Sequence, residues 1–374
     1  MQSDNMSKKH LREIFVVGLL ITMVFMSECI GPEKRETEKS WTDLRINSSA
    51  EALNAYRNGI SSDYFIGKIK NVSDSGNILP PENGCYVGAF PGMRLTGVEN
   101  ATTEDLQQFE TLCGKSVAIA WSTYCWDKNI SLKQILDEVG EYGAVPVIGL
   151  RLEQHEAEAI MDEGNPSVDF SLQKIIDGDL DNALSINVVD EVKRYNKPVM
   201  ISFLNEMNGD WYPWCGIYQG GDGTTEFGDS SKADGPERYI ATYRHVVELF
   251  RAGGVNNVTW LFQANDISYP NENWNSIDAY YPGDEYVDWV GISLYVADAP
   301  DDEWASFETR MELVYNELIF LFPNKPIMLA EWGVGEFPEK GDKAAWISEA
   351  FTTLQSKYTR IKCAIYYHAK WEND

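Results

Sequence analysis

The sequence predicts a (β/α)8 TIM barrel. Three observations lead there: short apolar runs alternate with longer amphipathic stretches from residue 85 onward, there are eight such cycles, and each run is continuous in its apolarity. Continuous runs are what strands covered on both faces require, and eight strand–helix cycles are the count of a closed parallel barrel. A doubly wound sheet is the competing α/β architecture. It usually carries a glycine-rich phosphate loop after its first strand, and Phe90-Pro91-Gly92-Met93 is not one.

The elements follow in chain order. Lys8, Lys9 and Arg12 precede an apolar run from Ile14 to Met26, whose 13 residues are short for a membrane span and right for the core of a signal peptide. Met26-Ser27-Glu28-Cys29-Ile30-Gly31 resembles a lipoprotein cleavage site, with Glu28 where a small residue is expected. Residues 1–29 are therefore read as a leader, with simple cleavage, retention as an uncleaved anchor and attachment through a lipidated Cys29 all open. Residues 30–84 are read as a charged tether followed by a segment that wraps the barrel, and residues 85–374 as the barrel itself.

The predicted strands are Cys85 to Phe90, Ser116 to Trp121, Val145 to Leu150, Pro198 to Leu204, Asn257 to Phe262, Asp288 to Leu294, Pro326 to Ala330 and Lys362 to Tyr367. Helices are expected over Thr103 to Cys113, Ser131 to Tyr142, Leu180 to Tyr195, Pro236 to Ala252, Trp304 to Phe322 and Lys343 to Tyr358. Thr102-Thr103-Glu104-Asp105 reads as a helix start with acids in its first turn, and Gly253-Gly254 as a stop. Closing the ring sets Cys85 and Cys363 at the start of neighbouring strands, which predicts that they lie close, with a disulfide between them left open.

Composition narrows the function. The 58 acidic residues against 31 Lys and Arg give a net charge of -27, a surface repelled by nucleic acid and by anionic membranes. No Cys or His sits at metal-ligand spacing, so neither a metal nor another cofactor is expected. The 12 Trp and 19 Tyr exceed what a core of this size usually needs, and surplus rings suit a sugar-binding cleft.

In a barrel the chemistry lies where strands end at their C-terminal side. The fourth run ends in Asn205-Glu206-Met207-Asn208-Gly209-Asp210-Trp211-Tyr212-Pro213-Trp214, and the seventh in Glu331-Trp332-Gly333. Both deliver a carboxylate to one mouth. Two carboxylates flanking a sugar bond are the minimum machinery of glycoside hydrolysis, and a Glu closing an apolar strand is costly to bury without a role or a partner. Trp211 and Trp214 lack core periodicity and suit stacking on apolar sugar faces. Trp371 at the end of the eighth strand and Trp332 are further candidates. Trp121, Tyr124 and Trp126 stand as either an outer subsite or a structural cluster, and Arg151 and Glu153 as a salt bridge or a substrate contact.

These two strand ends, Asp288-Trp289-Val290-Gly291-Ile292-Ser293-Leu294-Tyr295 and the closing Tyr366-Tyr367-His368-Ala369-Lys370-Trp371 together resemble glycoside hydrolase family 26 over residues 85 to 374. That family contains β-mannanases and some other β-glycanases, in a clan of retaining barrels with glutamates after strands four and seven. The resemblance implies that Glu206 is the acid/base, Glu331 the nucleophile, and Trp211 and Tyr295 contacts to the sugar. Glu331 is expected to stay ionised while Glu206 is pushed up. The family usually has His before the acid/base, whereas this chain has Asn205, suited to a sugar 2-hydroxyl. The expectation is an exported or cell-surface, monomeric, retaining endo-β-glycanase acting on β-1,4-mannan or a related β-linked polysaccharide. A β-1,3/1,4-glucanase or xylanase of the same clan, and a non-catalytic carbohydrate-binding protein, are the alternatives.

Overall fold

The eight predicted runs form strands that pair in parallel and in sequence order: β2 (Cys85–Phe90), β3 (Ile119–Cys125), β4 (Val145–Arg151), β5 (Val199–Phe203), β6 (Val258–Asn265), β7 (Trp289–Val296), β8 (Ile327–Val334) and β9 (Ile361–Tyr367). β9 pairs back onto β2, from Tyr86↔Cys363 to Phe90↔Tyr367, and closes the ring. A two-residue strand, β1 (Phe65–Ile66), pairs with β2 from outside. The computed structural model describes residues 50–91, 100–125, 131–151, 171–297 and 302–368, so the leader, most of the tether, Trp126, Glu153 and Trp371 lie outside the described residues.

Successive side chains of a strand point to opposite faces, and in a closed barrel this sorts them into two cores. Tyr86, Ile119, Trp121, Val147, Met200, Leu261, Trp289, Met328, Cys363 and Ile365 fill the interior. Val87, Ala120, Ile148, Ile201, Phe262, Val290 and Leu329 face the helices. Gly149 makes room for the interior Trp121, since a Cβ there would come within 2.7 Å of the indole Cζ2.

The helical layer holds α1 (Ala50–Ile60), α2 (Thr103–Cys113), α3 (Leu132–Tyr142), α4 (Leu172–Ile176), α5 (Asp181–Leu184), α6 (Asp190–Tyr195), α7 (Asp234–Ala252), α8 (Phe307–Leu321) and α9 (Lys343–Ser356). At the start of α2, the Thr102 hydroxyl accepts from the Asp105 N–H while the Asp105 carboxylate accepts from the Thr102 N–H, a capping box. The helix expected over Leu180 to Tyr195 is interrupted by a π-turn at Ser185–Val189 between α5 and α6. From the N-terminal segment, α1 packs on α9. Ile78 plugs the floor of the barrel, its N–H donating to the Thr259 hydroxyl at 2.7 Å and its carbonyl accepting from Trp289 Nε1 at 2.9 Å.

Two sequence expectations are corrected. Cys85 and Cys363 are both buried free thiols. Cys363 is in register with Tyr86, one residue on, so Cys85 faces the helices and Cys363 the interior, with the sheet between them. The surplus of aromatic residues also serves the core. Trp332 packs against Trp346, Phe307, Phe351 and Tyr366 between barrel and helices, with ring centroids 5.1 to 5.9 Å apart.

Candidate active site

Interior positions near the C-terminal ends of β5 to β8 change from apolar to polar. Ser202, Gln263, Ser293 and Glu331 are buried there above Met200, Leu261, Trp289 and Met328. The strand period alone would not bring Glu331 inward, because Met328 and Ala330 already face the interior. A β-bulge does so. Ile292 pairs with Leu329 but Ser293 pairs with Glu331, so Ala330 is the extra residue and everything after it changes face. Glu331 thereby enters the mouth and Trp332 is turned outward into the helical layer, which removes Trp332 from the candidate sugar contacts.

Glu206 arrives differently. Past the end of β5 the backbone takes left-handed conformations at Leu204 (φ 49°) and at Glu206 (φ 60°), both unfavourable for residues with a Cβ. The turn is pinned: the Glu206 N–H donates to the Gln263 carbonyl at 2.9 Å and the Gly209 N–H to the Glu206 carbonyl at 3.0 Å. Trp211 Nε1 donates to Glu206 Oε2 at 2.8 Å.

Gln263 gathers a hydrogen-bond network onto Glu331. Gln263 Nε2 donates to Glu331 Oε1 at 3.0 Å and to Ser293 Oγ at 2.8 Å, and the Ser202 hydroxyl donates to Gln263 Oε1 at 2.9 Å. Ser293 also acts on Glu206, where its side chain favours the ionised carboxyl. Tyr295 Oη donates to Glu331 Oε2 at 2.8 Å. Gln263 and Ser293 are members of the site that the sequence reading missed; the signal available was a polar residue standing in an otherwise apolar strand.

Burial lifts both carboxyls. Desolvation raises Glu206, and the hydrogen bonds from Ser293 and Trp211 and the Arg151 charge only partly offset it. Glu331 is lifted to about 8, by desolvation first and by the Glu206 charge second, against Arg151, Tyr295 and Gln263. The expected division, with Glu331 ionised and Glu206 alone raised, is therefore not imposed by the resting site. Each carboxyl acts on the other, so the two titrate as one unit. Nearby, Asp266 is raised to about 6 by burial, against the pull of Arg310.

The remaining candidates separate. Asn205 is 1 % exposed and neither its Oδ1 nor its Nδ2 has a hydrogen-bond partner, a condition that calls for a ligand or another explanation. Trp211 is partly exposed and lies against Glu206. Trp214 is 0 % exposed, stacks on Tyr212 at 4.4 Å and donates to the Asn205 carbonyl at 2.8 Å. It braces the turn and has no face to offer a sugar. Trp121 and Tyr124 are likewise buried and form no outer subsite. Arg151 Nη2 donates to the Tyr212 hydroxyl at 3.0 Å, with the guanidinium 4.8 Å from that ring's centroid. Among the described residues no group of three or more His, Cys, Asp or Glu is placed to hold a metal ion.

Known proteins are consistent with this frame. Endoglucanase H of Acetivibrio thermocellus is 30% identical over 296 residues, covering 78% of this chain but only 29% of that protein's length. A mannan endo-1,4-beta-mannosidase of Bacillus subtilis is 23% identical over 312 residues, covering 78% of this chain and 76% of the relative. The catalytic domain of a Bacillus sp. JAMB-750 endo-beta-1,4-mannanase shares the fold with a TM-score of 0.53 at 18% identity, over 87% of this chain and 82% of that one. The family model described as glycosyl hydrolase family 26 matches residues 149–339, a span that holds both buried glutamates, and the chain belongs to that family.

Proposed function

We propose that the protein is an exported, retaining endo-β-glycanase that hydrolyses β-1,4-mannan or a related β-glucan by double displacement. The observation that carries the reading is the pair of buried carboxyls, Glu206 and Glu331, close enough for the charge of one to raise the other, at the open end of the barrel. In the first step Glu331 attacks the anomeric carbon while Glu206 gives its proton to the departing oxygen. Formation of the ester removes the charge of Glu331, which removes one cause of a raised pKa at Glu206. Glu206 then takes a proton from the water that displaces Glu331. Tyr295 and Gln263 hold the Glu331 carboxylate in line, and Trp211 fixes the Glu206 oxygen.

Asn205 supports a second reading. Its unpartnered amide is suited to a sugar 2-hydroxyl, and an Asn in place of the usual His favours a β-1,3/1,4-glucanase or xylanase. The similarity to Endoglucanase H points the same way. Export rests on the leader, residues 1–29, with anchoring through it or through Cys29 and a barrel domain beginning near residue 85. Among the described residues no helix is long and apolar enough to cross a membrane.

Reducing-sugar release from mannan, mixed-linkage β-glucan, cellulose and xylan tests the substrate. NMR of the first product tests the mechanism, with a β-anomer expected. An α-anomer from a β-glycan would remove the retaining assignment, and binding without release would favour a carbohydrate-binding protein.

A further inference from the structure

Beside the carboxyl pair, one exposed ring is held more firmly than its position on a loop would suggest. Tyr269 follows β6 at the C-terminal end of the barrel and is 45 % exposed. Its ring meets Trp211 edge-on, with centroids 5.7 Å apart and planes at 61°. Trp211 is the residue whose indole N–H is fixed on Glu206. Tyr269 is thus one aromatic neighbour removed from the Glu206 carboxyl.

The loop is fixed by Asn208, which is fully buried two residues after Glu206. Asn208 Nδ2 donates to the Asn265 carbonyl at 2.9 Å and to Ser268 Oγ at 3.1 Å, and Asn208 Oδ1 accepts from the Asn265 N–H at 2.8 Å. The Asn208 carbonyl accepts from the Tyr269 N–H at 2.8 Å and from Asn275 Nδ2 at 2.9 Å. Asn275 Nδ2 also donates to the Pro270 carbonyl, and its Oδ1 accepts from the Tyr280 hydroxyl. One amide therefore ties the turn that carries Glu206 to the loop that carries Tyr269. An ordered, half-exposed ring has little side-chain entropy left to lose when something stacks on it.

We propose that Tyr269, held against Trp211 by the Asn208 latch, is the platform on which the leaving-group sugar stacks. The inference rests on Glu206 being the acid/base. A proton donor lies beside the oxygen that departs, and Tyr269 is reached from Glu206 through Trp211, whereas the partners of Glu331 are Tyr295 and Gln263, which assigns Tyr269 to the leaving-group side. The apolar face of a β-linked pyranose is the ligand chemistry that a tyrosine ring accepts. Asn208 is then a positioning residue, acting on the substrate through Tyr269 and Glu206.

The test compares two substrates with the same glycone: a β-linked oligosaccharide of the glycan the enzyme cleaves, and the corresponding β-glycosyl fluoride, which places no sugar beyond the cleaved bond. Tyr269→Ala is expected to lower kcat/KM on the oligosaccharide about tenfold or more relative to its effect on the fluoride, and Tyr269→Phe, which keeps the ring, to restore most of the difference. Transfer of the glycosyl group to an acceptor sugar should fall with the oligosaccharide reaction. Equal losses on both substrates would show that Tyr269 serves the glycone side or the fold and would overturn the proposal, as would an undiminished rate on the oligosaccharide, or a displaced basic limb of the kcat/KM profile, the mark of a disturbed Glu206 rather than a lost stacking contact. If the wild-type protein releases nothing from either substrate, the function itself fails and this inference with it.

Discussion

Replacing Glu331 by Gln is expected to stabilise the protein at neutral pH while abolishing turnover. The Glu331 carboxyl is raised from 4.5 to about 8 in the folded state. A group whose pKa is raised by folding keeps its full contribution to stability below the unfolded value, near 4.5, and loses it as pH climbs through about 8. Each unit of that interval weakens the fold by about 1.4 kcal/mol, so about 3 kcal/mol has been lost by pH 7. An amide does not ionise and escapes this loss. It also keeps its neighbours satisfied, because its oxygen accepts from Gln263 and its NH2 donates to the Tyr295 hydroxyl, which can donate or accept. Urea titrations of wild type and Glu331→Gln at pH 5 and pH 7.5 measure the difference. The variant should be more stable by about 4 kcal/mol at the higher pH and by about 1 kcal/mol at the lower. A gap that fails to widen with pH, or a variant less stable at pH 7.5, would refute the argument that Glu331 is held against its own desolvation.

Three further outcomes follow from the same site. Glu206→Ala should spare the first step for substrates with a good leaving group, and azide should intercept the intermediate as a β-glycosyl azide detectable by NMR; an α-azide, or no rescue, removes Glu206 from the acid/base role. Gln263→Met deletes a hydrogen bond to a charged oxygen, worth about 1.5–3 kcal/mol, and should move the acid limb of the kcat/KM profile upward by about one to two pH units. A profile lowered in height but unmoved would show that Gln263 does not hold the Glu331 charge. The net charge of -27 predicts that the melting temperature rises from low to molar salt as self-repulsion is screened, whereas a flat or falling curve excludes that effect.

The barrel was legible because each strand is apolar on both faces, which leaves a continuous run in the sequence. What the runs missed is informative. β6 extends through Gln263 to Asn265 and β8 through Glu331 to Val334, because the strands continue as the inward residues turn polar, and hydropathy cannot follow them there. The same blindness hid Gln263, whereas Ser293 lay inside its predicted run as a polar residue in an otherwise apolar strand. The misplacement of Trp332 has a different origin: a single inserted residue, Ala330, reverses the facing of everything after it, and no composition marks a bulge whose extra residue is an alanine. Trp214 was misread because a ring in a loop was taken to be available, while the Asn205 carbonyl and the Tyr212 ring bury it completely. Glu206 and Glu331 could be singled out as candidates because strand ends at one face of a barrel converge whatever the loops do.

The one-residue offset between Cys85 and Cys363 has a consequence for how the protein depends on its surroundings. Cys85, Cys113, Cys215 and Cys363 are all buried free thiols, and burial raises each of them, Cys113 to about 12. Thiolate is the species that exchanges disulfides and meets oxidants, so these sulfurs are nearly inert while the chain is folded. At these four sulfurs the folded barrel is thus insensitive to redox potential, and reductant and mild oxidant alike should leave them unchanged.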